Sequence, residues 1–203
     1  MSQQKRLGAE IQHNTLPYSV RAVQQVSTNY CVSIVDTIEN MSDVEDVIFA
    51  LGIAEPQDSV TINLNCYGGN AYVGDAIIQA MSECKAPVRV IASGVVASFA
   101  TFILLEAEQF SISPFCEILC HSASFGSTGK MQDTKEHVEF SYKQCEKLLR
   151  HYYKHFLTEE EITELIVNKK ELWMDADEFV ERYNKRNELF IKEMEEQEEQ
   201  DEE

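Results

Sequence analysis

The sequence predicts an α/β fold built on a mainly parallel sheet, and three observations predict it. Short β-branched stretches and stretches with helical spacing take turns along the chain. Two strands run straight into turns of small residues that open helices. The connections are long enough for right-handed crossovers between parallel neighbours.

The elements follow in order. Residues 1–27 are polar and weakly patterned, and read as an N-terminal arm with little core. Tyr30–Val35 (YCVSIV) is β-branched and apolar, a strand. In Met41–Leu51, Val44, Val47, Ile48 and Leu51 recur at helical spacing, with Ser42 placed to cap the helix. Ser59–Asn65 (SVTINLN) alternates strictly and is a strand by the period-2 rule. It runs into the glycine turn Cys66–Asn70, and a helix follows over Tyr72–Cys84. Pro87 ends that helix, and Val88–Ala92 is the next strand. The small-residue turn Ser93–Ala97 then leads to Ser98 and the apolar helix Phe99–Glu106. Two short strands are expected near Gln109–Ser113 and Cys116–His121, separated by Pro114. A Gly/Ser-rich connection, Ser122–Lys130, precedes a helical stretch from Met131 to Leu157. Thr158 followed by Glu159, Glu160 and Glu161 reads as a capping box for one more helix. No internal repeat is visible.

Composition narrows the function. Thirty-five acidic residues against 17 basic ones give a formal net charge of −18. Such a surface repels phosphate backbones and anionic lipid, which argues against nucleic-acid and membrane partners. Part of the charge is local: residues 188–203 (ELFIKEMEEQEEQDEE) read as a fraying helix that dissolves into a solvated acidic tail. No apolar run approaches the ~18 residues of a membrane span, and no apolar h-region follows the charged N-terminus. The six cysteines contain no CxxC pair, so reduced thiols and a cytoplasmic location are expected.

The two strand-to-helix turns are where chemistry is expected, because helix N-termini present free amides at that sheet edge. Gly68 and Gly69 allow backbone to approach a substrate closely. Ser98 opens a helix after a strand, and the amide of Phe99 is one of those that have no partner inside the helix. A hydroxyl next to such a donor suits acyl transfer. Taken singly, each signal has an ordinary reading: Ser98 as an N-cap, Gly68-Gly69 as a tight turn, His121 as a satisfied core histidine. The G-x-S-x-G elbow is absent, since Val96 and Ala100 flank Ser98 at two places either side. Metal binding by Cys116, Cys120 and His121 is disfavoured, because on a strand His121 points away from the two sulfurs. His151 and His155 lack the glutamate of an HExxH site, Tyr152 standing there instead. Tyr142, Leu148, Leu149, Tyr152 and Phe156 form a helix face suited either to the core or to a subunit contact.

In combination these segments resemble a known family. INLNCYGGNAYVGDAIIQAM, VRVIASGVVASFATFILLEA and FSISPFCEILCHSASFGSTG resemble the glycine-turn, nucleophile and base-histidine blocks of the Clp protease proteolytic subunits. WMDADEF is similar to that family's aromatic-x-x-A-x-E element. The resemblance covers roughly Tyr30 to Phe179 and fades beyond. It implies a crotonase-like fold with a protruding handle helix from Met131, and a peptidase domain over residues 28–187. It implies Ser98 as nucleophile, His121 as general base, and the amides of Gly69 and Phe99 as oxyanion hole. The position matching the family's triad aspartate is Glu171, with Asn168 and Asp175 as weaker stand-ins. It further implies a serine endopeptidase acting on unfolded polypeptide in a homo-oligomeric ring, a heptamer or tetradecamer, with no metal or organic cofactor. ATP-dependent proteolysis with an AAA+ unfoldase is left open, because the N-terminal segment lacks the expected apolar gate loop. The substituted aspartate and divergent ends keep three alternatives in view: a catalytically impaired ring or scaffold subunit, a phage prohead-type peptidase acting in the host cytoplasm, and an acyl-CoA enzyme on the same fold.

Overall fold

The structure, a computed structural model, describes residues 26–201. The N-terminal arm of residues 1–27 lies almost wholly outside them. The order of elements is β1 (Asn29–Ile38), α1 (Glu45–Ile53), β2 (Ser59–Gly69), α2 (Ala71–Glu83), β3 (Val88–Ala97), α3 (Phe99–Leu105), β4 (Gln109–Ile112), β5 (Glu117–Cys120), α4 (Met131–Tyr152), α5 (Glu159–Val167), β6 (Leu172–Met174) and α6 (Ala176–Asp201).

These strands make one six-stranded sheet in the order β1-β2-β3-β5-β6, with β4 also paired to β3. Every pairing is parallel except β5 with β6. The mainly parallel α/β architecture expected from the alternation is therefore present. The inward residues of β2 and β3, Val60, Ile62, Leu64 and Val90, are fully buried. Helix α3 is buried along all seven residues, as an apolar helix wedged under the sheet must be.

β3 is the organising strand. Its first half, Arg89–Ala92, pairs with β4, and its second half, Val95–Ala97, pairs with β5. The segment Ser93–Ala97, expected as a turn, is thus strand that changes partners. Gly94 makes the change, at φ +65° and in contact with Asn65, whose side-chain oxygen accepts the Val95 amide at 3.1 Å. β-Propensity reads Val95 and Val96 correctly, but glycine and serine around them mask the continuity.

Local differences have local causes. Ser42 does not cap α1; it lies in a short 3₁₀ turn and hydrogen-bonds Asp43, whose carboxylate accepts the Asn40 amide at 2.7 Å. The capping box at Thr158 forms as expected, with Glu161 N–H donating to Thr158 Oγ1 and Thr158 N–H to Glu161 Oε2. α4 ends at Tyr152 rather than Leu157, and His155 in the link that follows sits at φ +62°. Only its last turns touch the core, through Leu149 and Tyr152, so the rest projects as a handle. Leu149, Tyr152 and Phe156 are core residues, whereas Tyr142 is exposed.

The acidic C-terminus differs most from expectation. α6 runs unbroken to Asp201 instead of dissolving near residue 188. Arg186 is buried and donates to the Leu105 carbonyl and to Glu106, and its guanidinium also lies over Phe190. Glu193 pairs with Lys154 and His155. These contacts anchor α6 on the link after α4 and on the end of α3, and helical propensity carries the exposed remainder.

Arg182 ties α6 to α5 by forked hydrogen bonds to Glu161 at 2.9 and 3.0 Å, with Glu178 on its other side. Partial burial works to raise the Glu161 carboxyl, but the Arg182 guanidinium and the Thr158 amide outweigh it and hold the carboxyl below its usual range. A depressed carboxylate stabilises the fold above its unfolded pKa, and that share is lost as pH falls through the folded value. Arg182→Gln should therefore cost about 1–2 kcal/mol near neutral pH, with the gap to wild type narrowing below about pH 4. Urea unfolding at several pH values measures it; a gap independent of pH would refute the assignment.

Candidate active site

The sheet brings the sequence-singled residues to one edge. Ser98 follows β3 directly, and His121 follows β5 directly, the strand paired with the end of β3. The Ser98 amide donates to the Leu119 carbonyl at 2.9 Å, so the nucleophile candidate is locked to the strand that ends in His121. Both residues are half-buried.

The backbone at Ser98 decides between its two readings. Its φ and ψ are +56° and −128°, and its side chain makes no capping hydrogen bond. An N-cap would take an extended conformation and turn its oxygen back to the helix amides. Ser98 does neither. A non-glycine residue at such an angle costs roughly 1–3 kcal/mol and has to be held there by its surroundings. Here the hold is on the backbone: the Ser98 carbonyl accepts from both the Thr101 amide at 3.0 Å and the Thr101 hydroxyl at 2.7 Å. The hydroxyl of Ser98 is left free of local duty.

Gly68 packs against this turn. Its φ is +88°, and a Cβ there would lie 2.6 Å from the Ala97 carbonyl oxygen, 2.6 Å from Ser98 Cβ and 2.8 Å from the Phe99 amide nitrogen. Gly69, at φ +140°, packs against the backbone of Ile38, with a Cβ 2.0 Å from that carbonyl oxygen. Any side chain at either position would push the glycine strand off its neighbour. The Gly68 amide approaches Cys66 Sγ at 3.3 Å. Gly68 therefore borders the residue whose amide, Phe99 N–H, opens helix α3 without an intrahelical acceptor.

Glu171 comes in through β6. The antiparallel register pairs Ile118 with Met174, Leu119 with Trp173 and Cys120 with Leu172. His121 and Glu171 each stand one residue outside that ladder, at the same end of it. Glu171 itself is exposed. The two stand-ins are engaged elsewhere: Asp175 accepts the Glu178 amide at the start of α6, and Asn168 donates to Glu164 at the end of α5. β6 is an element that sequence reading missed, three residues long and flanked by charge.

Two further polar residues lie under the site and escaped sequence reading, Thr101 and Tyr153. Both are fully buried, and their oxygens lie 2.8 Å apart. The available signal was Thr101 itself, the lone polar side chain in FATFILL.

The matching family model is that of Clp protease, over residues 17–182. The chain belongs to the Clp protease family. Among curated relatives of this Clp protease family member, it is 28% identical over 110 residues to the ATP-dependent Clp protease proteolytic subunit of Deinococcus radiodurans, covering 53% of this chain and 54% of that one. It is 27% identical over 128 residues to proteolytic subunit 1 of Shouchella clausii, covering 62% and 63%. It is 32% identical over 107 residues to proteolytic subunit 3 of Streptomyces avermitilis, covering 51% and 47%. The matches thus span about half to three-fifths of those relatives. The fold agrees with the Clp assignment: a mainly parallel sheet, a projecting helix after the strand that leads to His121, and the Gly68 and Ser98 turns in contact. Among the described residues no helix is long and apolar enough to cross a membrane, and no three metal-ligating side chains cluster.

Cysteine chemistry can be separated from serine chemistry in this Clp family chain. Cys66, Cys116 and Cys120 are buried. Burial pushes the Cys116 thiol up to about 11 and the Cys120 thiol up to about 12, and raises Cys66 as well. Buried protonated thiols are poor nucleophiles. Iodoacetamide at pH 8 should alkylate exposed Cys31 first and leave Cys66, Cys116 and Cys120 unmodified in the folded protein. Mass mapping of the peptides reads this out, and early labelling of Cys120 would contradict the burial described.

Proposed function

We propose that the chain is a serine endopeptidase that hydrolyses unfolded polypeptide through an acyl-enzyme, within a homo-oligomeric ring. The observation that carries the reading is the backbone of Ser98, a strained residue whose hydroxyl is not spent on capping and whose amide is tied to the strand that ends in His121. Membership of the Clp protease family supports the same chemistry.

In this reading His121 takes the Ser98 proton as Oγ attacks the peptide carbonyl. The developing oxyanion is held by the amides of Phe99 and Gly69. Glu171 accepts the second ring N–H of His121 and stabilises the imidazolium, in the place of an aspartate. The imidazolium then gives its proton to the leaving amine, and water repeats the sequence to release the acid. No metal or organic cofactor takes part. Ring formation fits the large exposed apolar side chains of this chain, among them Phe49, Phe115, Met131 and Phe140, which an isolated chain would leave in water. Partners on this reading are polypeptide substrate and further copies of the chain, in the cytoplasm, with cooperation with an AAA+ unfoldase left open.

An impaired ring or scaffold subunit is the second reading, favoured by the exposure of Glu171. The two differ in one experiment. The peptidase hydrolyses short unstructured peptides and takes up a fluorophosphonate. Ser98→Ala and His121→Ala should each lower kcat by ~10⁴-fold or more, and Glu171→Ala by ~10²–10⁴. A ring of correct native mass that neither turns over peptide nor labels would establish the scaffold reading instead.

A further inference from the structure

We infer that the Tyr153 hydroxyl is a positioning residue for the nucleophile, acting through Thr101. This rests on the peptidase reading above and adds residues to it.

Thr101 carries one hydroxyl proton, and that proton goes to the Ser98 carbonyl at 2.7 Å. The 2.8 Å contact between Thr101 Oγ1 and Tyr153 Oη therefore has Tyr153 as donor. The result is a directed chain, Tyr153 O–H to Thr101 Oγ1 and Thr101 O–H to Ser98 C=O. It ends on the residue that sits at φ +56°. Loss of the chain would free the Ser98 carbonyl to swing, and the hydroxyl direction would move with it, since both hang on one α-carbon.

The chain is rigid at its far end. Tyr153 is completely buried, with its ring centroid 4.8 Å from that of Phe102 and 6.2 Å from that of Phe156. Cys120 lies beside the Tyr153 hydroxyl, between Leu119, which accepts the Ser98 amide, and His121. The buried hydroxyl pair thus sits beneath Ser98 and beside the residue that precedes His121. A bare packing role would not need it: phenylalanine and valine would fill the same volume with no polar groups to satisfy.

The full-length protein tests it, with Tyr153→Phe, Thr101→Val and Thr101→Ser compared by kcat and KM on a fluorogenic peptide and by the rate of fluorophosphonate labelling. Tyr153→Phe and Thr101→Val should each lower kcat and labelling about tenfold, with KM within about twofold. Thr101→Ser keeps the hydroxyl and should stay within about threefold of wild type. The double variant should fall little further than either single one, because both break one chain. If Thr101→Val does not fold, Tyr153→Phe, which loses a single oxygen, carries the test. Wild-type kcat and labelling in folded Tyr153→Phe, even with a lowered melting temperature, would overturn the positioning role and leave the peptidase reading intact. A wild type that neither hydrolyses nor labels would overturn both.

Discussion

Two backbones meet at the carboxyl edge of this sheet because residue 68 has no side chain. The end of β2 rests on the Ala97–Phe99 turn at distances no Cβ would tolerate. That contact, together with the Ser98 amide on Leu119, holds three chain segments together: the glycine strand, the Ser98 turn and the histidine strand. A backbone residue held in the left-handed region is stable only when its neighbours over-determine it. Here they do so through β5 on one side, Gly68 on another and the Thr101 hydroxyl beneath. The strain at Ser98 and the packing at Gly68 are one feature seen from two strands.

The same edge depends on β3 changing partners. Had β4 run on beside β3, the strand next to Ala97 would have been the one that ends at Ile112. The switch at Gly94 ends the β4 pairing and opens a place for β5, whose carboxyl end delivers His121. β6 then pairs with β5 in the opposite sense, which leaves Glu171 and His121 each one residue beyond the same end of that ladder. Each candidate side chain is thus delivered by a different strand end. This is the arrangement in which a parallel sheet concentrates polar groups that its core cannot hold.

Most of this was legible in the sequence, but unevenly. The alternation of SVTINLN and the apolar run FATFILL fix β2 and α3, and their order along the chain fixes a parallel sheet. Ser98 was singled out by its place after a strand and a tight turn, whereas His121 as a base and Glu171 came only from resemblance, Glu171 because β6 is three residues long and carries no period. The strand character of Ser93–Ala97 was hidden because serine and glycine read as turn while their real duty is a bulge. The helicity of residues 188–201 was hidden for a different reason. A block of like charge argues for a solvated coil, yet Arg186, Phe190 and Glu193 each find a partner on another element. Tertiary anchoring fixes the first half of this stretch, and the helix-forming Glu, Gln and Met of the second half continue it.

Glu171 illustrates how far geometry reaches in a single chain. A glutamate has one more methylene than the aspartate it replaces, so it reaches a given ring nitrogen from a backbone set further away. Here the glutamate stands just outside the β5–β6 ladder, one residue before Leu172. Holding its longer side chain in one geometry costs more rotamer freedom than an aspartate would lose. A neighbouring subunit that covers the exposed carboxylate would offset this cost, by restricting the side chain and by lowering the local dielectric around the pair. On the proposed reading catalytic competence depends on the assembly, because the exposed Glu171, just before β6, is the candidate carboxylate that the chain alone leaves in water.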